Sequence, residues 1–249
     1  MVSVRTQRIP VKPLLLCCAF ALIPGWAVSG TCRLALVLAL DVSGSVNEAE
    51  YAQQLNGVAF ALGSPAVRSS ILESAETHVD LVVFEWSSQN HQFVIQPWTT
   101  LNSQAAIDRA VARIQGFQRR RAGLKTALST ALIFAANQLQ GKSHCWQKKI
   151  DVSGDGKNNI GPNVADIYRS PNFRGITVNA LVVSDPSTSD PTSKTAIMKD
   201  DLKQYYEREV IFGTGAFAMI AYGYDDYARA MEQKLLREIE LPVLGGLPD

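Results

Sequence analysis

Neither sign of charge prevails in this chain. Across 249 residues 24 Lys and Arg face 23 Asp and Glu, which removes the electrostatic case for a dedicated nucleic-acid binder. Cysteine and histidine are scarce. Four Cys are too few for a disulfide scaffold, and His78, His91 and His144 are scattered, with no Ser or Cys at a nucleophile–base spacing. The 17 Gly and 11 Pro fall short of a collagenous or low-complexity composition. No apolar run reaches the roughly 20 residues that a bilayer demands, so no permanent transmembrane anchor is expected. What the chain does have is 47% hydrophobic and 19% charged residues, enough to bury the core of one sizeable domain.

The first 29 residues read as a signal peptide. Arg5, Arg8 and Lys12 precede an apolar stretch at 14–23, and Ala27-Val28-Ser29 offers a cleavage site after Ser29 or Gly30. Without these three cations, the body at 30–249 carries 21 basic and 23 acidic residues, a net charge of −2. Thr31 stands before Cys32 where a lipoprotein signal has Gly or Ala, so lipidation is the lesser reading. The expected destination is periplasmic or secreted. Cys17 and Cys18 leave with the signal, while Cys32 and Cys145 enter a compartment where disulfides persist. Their number alone leaves open whether they pair or stay as two buried thiols.

Residues 34–40 are apolar without alternation and end at Asp41, as in a strand buried on both faces of a parallel sheet. Similar runs recur at 79–84, 178–183 and 216–221, with a shorter, more polar one at 150–152. Between them lie segments of helical period. Tyr51, Leu55, Val58 and Leu62 follow Asn47, a predicted N-cap; Ala106, Ala110 and Ile114, then Leu128, Leu132 and Ala136, then Tyr227, Met231, Leu235 and Ile239 repeat likewise. Strands at 79–84 and 93–98, separated by a short polar stretch, predict a hairpin that puts one antiparallel strand at the sheet edge. The fold class is therefore α/β: a doubly wound, mostly parallel sheet with helices on both faces, whose ligands bind beyond the carboxyl ends of the strands. The polar segment 184–199 reads as an exposed loop.

Three polar clusters fall where this topology places a site: 41–45 after the first strand, 121–126 before a helix, and 153–156 after the strand at 150–152. They offer oxygen and no His or Cys, which suits a hard cation, Mg²⁺ or else Mn²⁺ or Ca²⁺. Asp41, Ser43 and Ser45 alternate as they leave a strand and so face one way, and Gly44 lets the loop turn. With Thr126 and Asp155 they make two carboxylates and three hydroxyls. An ion so held remains electron-poor and accepts another anionic oxygen, most naturally a carboxylate from a partner protein or peptide.

These residues resemble the metal-ion-dependent adhesion site of von Willebrand factor type A domains, and the body at 30–249 resembles such a domain throughout, most closely an uncharacterised group of secreted bacterial members. The resemblance implies a Rossmann-like sheet of order 3-2-1-4-5-6, with Asp41, Ser43 and Ser45 as the first ligand loop, Thr126 as the second and Asp155 as the third. It also implies a shift of the helix at 225–239 when coordination changes. One departure is that Asp151 interrupts the strand before Asp155; Asp155 is preferred because it lies at the strand's end. If the two strands are parallel neighbours whose acids share an ion, Cys32, nine residues before Asp41, and Cys145, ten before Asp155, meet at the far edge within bridging distance.

The functional expectation is a non-enzymatic binding module. The rival is a metal-dependent hydrolase, phosphatase-like, on the same fold. That chemistry needs a nucleophile or base at the ion, but position 43 is Ser where Asp-x-Asp would supply a second carboxylate. Arg119-Arg120-Arg121 reads as a solvated loop or, just before Thr126, as a basic rim that attracts an acidic ligand. Gly213-Thr214-Gly215 precedes a strand rather than opening a helix, so it is no phosphate loop. Trp86 and Trp98 read as packing aromatics. The sequence gives no oligomeric state.

Overall fold

The computed structural model describes residues 30–184 and 201–240, together with Val2. The signal peptide expected at 1–29 apart from Val2, the loop expected at 184–199 beyond its first residue, and the tail at 241–249 lie outside the described residues.

β1 (Thr31–Asp41) lies between β2 (Thr77–Trp86) and β4 (Gln147–Gly154) in a six-stranded sheet of order β3-β2-β1-β4-β5-β6. β3 (Gln92–Leu101) is antiparallel to β2, while β5 (Thr177–Ser184) and β6 (Ala218–Tyr222) continue the parallel part. The doubly wound architecture, the hairpin and the antiparallel edge are all as expected. The order turns back between β1 and β4, so their carboxyl ends flank the crevice where such sheets hold ligands.

The unalternating run of β1 conceals an alternation of size. Leu34, Leu36, Leu38 and Leu40 enter one core, shared with α1 (Glu48–Gly63), α2 (Pro65–Ile71), α3 (Gln104–Gln115) and α6 (Tyr227–Ile239). Ala35, Val37 and Ala39 enter the opposite core, where α4 (Leu128–Leu139) meets them with its own Ala131, Ala135 and Ala136. Burying each of those leucines contributes about 2 kcal/mol.

Local signals set several boundaries. Asn47 caps α1 by accepting from the amides of Ala49 and Glu50 while Glu50 accepts from the Asn47 amide, a reciprocal capping box. Helical periodicity does not announce α2, a seven-residue element that buries only Val67 and Ile71; its signals are the Ser64 cap and Pro65 in the first turn. β4 starts ahead of its apolar run, because Gln147, Lys148 and Lys149 already pair with β1. Asp151 is therefore mid-strand rather than near the start. A short α5 (Val164–Ile167) and a π-helical turn (Tyr206–Val210) complete the α4 face.

Two features fix the pole away from the strand ends. Cys32 and Cys145 form a disulfide with Cα atoms 4.6 Å apart, as the strand arithmetic anticipated. Asp151 faces α6, where Lys234 Nζ lies 2.8 Å from its Oδ1 and 2.7 Å from Glu238 Oε1, all three residues being buried.

Candidate metal centre

The cluster starts where β1 runs out. Leu40 pairs with Ser153 in the neighbouring strand, so Asp41 and the turn after Gly154 emerge side by side. Asp41 is fully buried, and its Oδ1 accepts a 2.8 Å hydrogen bond from the Ser43 amide, which folds the loop back over the carboxylate. Gln54 from α1 donates through Nε2 to the Asp41 carbonyl at 2.9 Å and anchors the end of the strand.

From Asp41 a chain of short oxygen contacts crosses three segments. Ser43 Oγ lies 3.4 Å from Ser45 Oγ, Thr126 Oγ1 donates to Ser43 Oγ at 3.3 Å, and Ser45 Oγ donates to Asp155 Oδ1 at 2.6 Å. The structure thus brings together all five residues singled out in the sequence, and Asp151 is apart from them, engaged by Lys234. Ser43 and Thr126 are buried, Asp155 is partly so, and Ser45 is exposed, so the cluster opens toward solvent on the Ser45 side.

The electrostatics are those of an uncompensated site. Burial, and then the charge of Asp155, push the Asp41 carboxyl up to about 8; burial likewise raises Asp155, against the hydrogen bond from Ser45. Asp41 Oδ2 is buried with no hydrogen-bond partner. An orphaned buried carboxylate oxygen is costly unless a cation or donor meets it. Two carboxylates, three hydroxyls and that orphan fit a small, hard divalent ion.

Glycines keep the space clear. A Cβ on Gly154 would lie 2.3 Å from the Tyr206 hydroxyl and 3.3 Å from Asp41 Oδ2, so only glycine brings β4 this close to the acid. At Gly44 a Cβ would meet the Leu124 carbonyl at 3.0 Å, which presses the first loop against the second.

Sequence reasoning missed the supporting residues. Asn159 accepts from the Thr126 amide at 2.9 Å and donates to Thr126 Oγ1 at 3.5 Å, and Asn158 Oδ1 caps the next turn at Ser129. Their signal is a pair of Asn one residue beyond the Asp155-Gly156 turn. Arg119 Nη2 donates to the carbonyls of Val46 at 2.7 Å and Val42 at 3.3 Å, bracing both ends of the first loop, while its guanidinium packs over Tyr51. Tyr224 donates to Asp155 Oδ2 at 3.4 Å from just before α6. The signal for Gln54 is a polar residue in phase with the apolar face of α1.

The histidines stay outside the cluster: His91, buried just before β3, packs against Phe93 and faces Glu85 at 3.4 Å, and His144 is exposed. Cys32, Asp80, His144 and Cys145 gather at the opposite pole, but their two sulfurs are spent on the disulfide.

Solved structures share this fold at low identity. Proximal thread matrix protein 1 from the mussel byssus, in a structure described as having a zinc-occupied MIDAS motif, superposes with a TM-score of 0.60 at 16% identity, over 84% of this chain and 49% of that one. The pilus adhesin SpaC from Lactobacillus rhamnosus GG gives 0.58 at 13%, over 84% and 30%. A von Willebrand factor type A protein from Catenulispora acidiphila gives 0.54 at 13%, over 84% and 43%. The chain thus spans less than half the length of each. No curated protein matches the sequence. The architecture is that of a von Willebrand factor type A domain, and the profile described as "Protein of unknown function (DUF1194)" matches residues 31–243, so the chain belongs to that family.

Proposed function

We propose that this protein is an exported binding module that holds a divalent cation on Asp41, Ser43, Ser45, Thr126 and Asp155 and captures a protein partner through a carboxylate that completes the ion's shell. The observation that carries this reading is the buried, unpartnered Oδ2 of Asp41 within a cluster of oxygen donors from three chain segments. A bound cation supplies Lewis acidity toward an anionic oxygen from outside. Asp41 and Asp155 would neutralise it and the three hydroxyls would supply its remaining protein ligands, while Gly44 and Gly154 keep the space beside them clear of side chains.

The all-oxygen donor set favours Mg²⁺, with Mn²⁺ or Ca²⁺ as alternatives; the mussel protein's zinc-occupied motif makes Zn²⁺ a necessary comparison. Ser at position 43, rather than a second acid beside Asp41, speaks for ligation over hydrolysis. Export is supported by the expected signal at 1–29 and by the disulfide, and among the described residues no helix is long and apolar enough to cross a membrane. Sequencing the mature N-terminus tests the first point: a start at Gly30 or Thr31 supports cleavage.

The central test is calorimetric titration of Mg²⁺, Mn²⁺, Ca²⁺ and Zn²⁺ into the parent and Asp41→Ala proteins, with capture of envelope proteins in Mg²⁺ and in chelator. Metal-dependent capture lost in Asp41→Ala supports the reading. Partners retained regardless of metal and substitution, or turnover of a phosphoester, refute it.

A further inference from the structure

A cleft of about 740 Å³ opens beside the first ligand loop, between the start of α1 and the segment 117–124. Its charge is one-sided. Arg119, Arg120 and Arg121 all line it, against the single acid Glu48, which lies 3.1 Å from Arg119. Arg119 is committed to that pair and to the Val42 and Val46 carbonyls. Arg120 and Arg121 are exposed; Arg120 lies over the Phe117 ring at 5.9 Å, and among the described residues neither makes an ion pair, nor does exposed Lys125. On the other side of the cluster, by contrast, Lys157 is paired with Asp201.

A second observation points the same way. Leu124, whose backbone abuts Gly44, is 83% exposed. An exposed leucine on the lip between the ligand loop and the cleft leaves its burial energy unused until something covers it. Solvation alone explains a short basic run in a loop. It does not explain two unpaired arginines on a concave wall meeting an uncovered leucine beside the oxygen cluster.

We infer that the partner presents an acidic segment rather than one isolated carboxylate: one acid ligates the ion, an apolar side chain covers Leu124, and further carboxylates enter the cleft to meet Arg120 and Arg121. This inference rests on the metal-binding reading above and names the chemistry of its partner. Guanidinium–carboxylate pairs at such a rim raise the association rate and set which partner is accepted.

Two amidated, fluorescein-labelled peptides test it by anisotropy in saturating Mg²⁺: Glu-Glu-Leu-Asp-Glu-Glu, and Gln-Gln-Leu-Asp-Gln-Gln, which keeps one ligating carboxylate. The acidic probe is expected to bind about tenfold tighter at low salt, with the gap closing as salt screens the rim. Arg120→Glu/Arg121→Glu should abolish the preference while Mg²⁺ still titrates as in the parent, and Leu124→Ser should weaken both probes. Equal binding of the two probes, binding of neither while Mg²⁺ titrates normally, or displacement of the acidic probe by heparin as readily as by unlabelled peptide overturns the inference and leaves the metal reading standing. Failure of Mg²⁺, Mn²⁺, Ca²⁺ and Zn²⁺ alike to titrate into the parent overturns the reading and the inference together.

Discussion

Ser45 Oγ donates a 2.6 Å hydrogen bond to Asp155 Oδ1 across 110 residues of chain, closing the oxygen cluster from its third segment back onto its first. The fold gathers the donors from segments remote in the chain, and a cation that binds the gathered set stabilises it by mass action. At a Mg²⁺ concentration about 100 times Kd the gain is about 2.7 kcal/mol, a rise in Tm of about 5–10 °C for a domain of this size. Scanning fluorimetry should show that rise in the parent and not in Asp155→Ala or Asp41→Ala. In chelator, Asp41→Asn should melt no lower than the parent, because it removes a buried carboxylate whose Oδ2 has no partner. A parent whose Tm ignores Mg²⁺ contradicts the assignment.

Proton linkage follows from the same carboxylate. Asp41 sits at about 8 in the folded protein against an ordinary 3.8, so between those values the metal-free fold binds more protons than the unfolded chain. Its stability contribution is therefore fully felt as a cost above about 8 and relieved as pH falls through that window. Cation binding needs the carboxylate and releases the proton, so Mg²⁺ affinity should climb by about tenfold per pH unit toward about 8 and then level. Titration in buffers of different ionisation enthalpy counts that proton. Affinity independent of pH across the acidic range rules the linkage out.

Asn159 holds Thr126 from behind, accepting from its amide and donating to its hydroxyl. Residues that orient ligands in this way typically account for 10- to 100-fold in metal affinity. Asn159→Ala is expected to weaken Mg²⁺ binding by about tenfold while far-ultraviolet circular dichroism and Tm in chelator stay close to the parent. A large loss of chelator-state stability instead makes Asn159 a folding residue.

The disulfide acts at the other end of the same two strands. Asp41 lies nine residues up β1 from Cys32, about 30 Å at the rise of a strand. The bridge spans a separation of 113 residues, a loop whose closure is worth about 5 kcal/mol in the chain-entropy account. Cys32→Ser/Cys145→Ser should lose about that much in urea denaturation and keep its Mg²⁺ affinity. A loss of Mg²⁺ binding in the folded double variant shows that the two poles are coupled.

The parts legible in the sequence were those written in short-range pattern. The run at 34–40 followed by Asp41 marked a buried strand opening into a ligand loop, and the spacing of Tyr51, Leu55, Val58 and Leu62 marked α1. The spacing of each cysteine from its acid anticipates the bridge, given that the two strands are neighbours. What stayed hidden depends on contacts remote in the chain. Arg119 looked like one member of a basic run, yet reaches carbonyls more than 70 residues earlier. On sequence alone Asp151 rivals Asp155; the residue that occupies it, Lys234, lies 83 residues later. α2 escaped notice because its seven residues are too few to show a helical period.

Lys234 also sets the clearest stability test away from the cluster. Its ammonium lies between Asp151 and Glu238, and Asn179 donates to both oxygens of Glu238, all inside the protein. Removing the only cation of this triad leaves two buried carboxylates facing each other, which costs about 3–5 kcal/mol. Lys234→Met is therefore expected to unfold at markedly lower urea near neutral pH. Burial already raises Asp151 to about 6 against the pull of Lys234, and without the lysine it rises further. The variant's deficit should then shrink as pH falls, because protonation relieves the uncompensated charge. Asp151→Asn added to Lys234→Met should recover part of the loss near neutral pH. A deficit that is constant from neutral to mildly acidic pH would assign the effect to lost packing around Phe217, over which the lysine lies at 4.8 Å, rather than to charge.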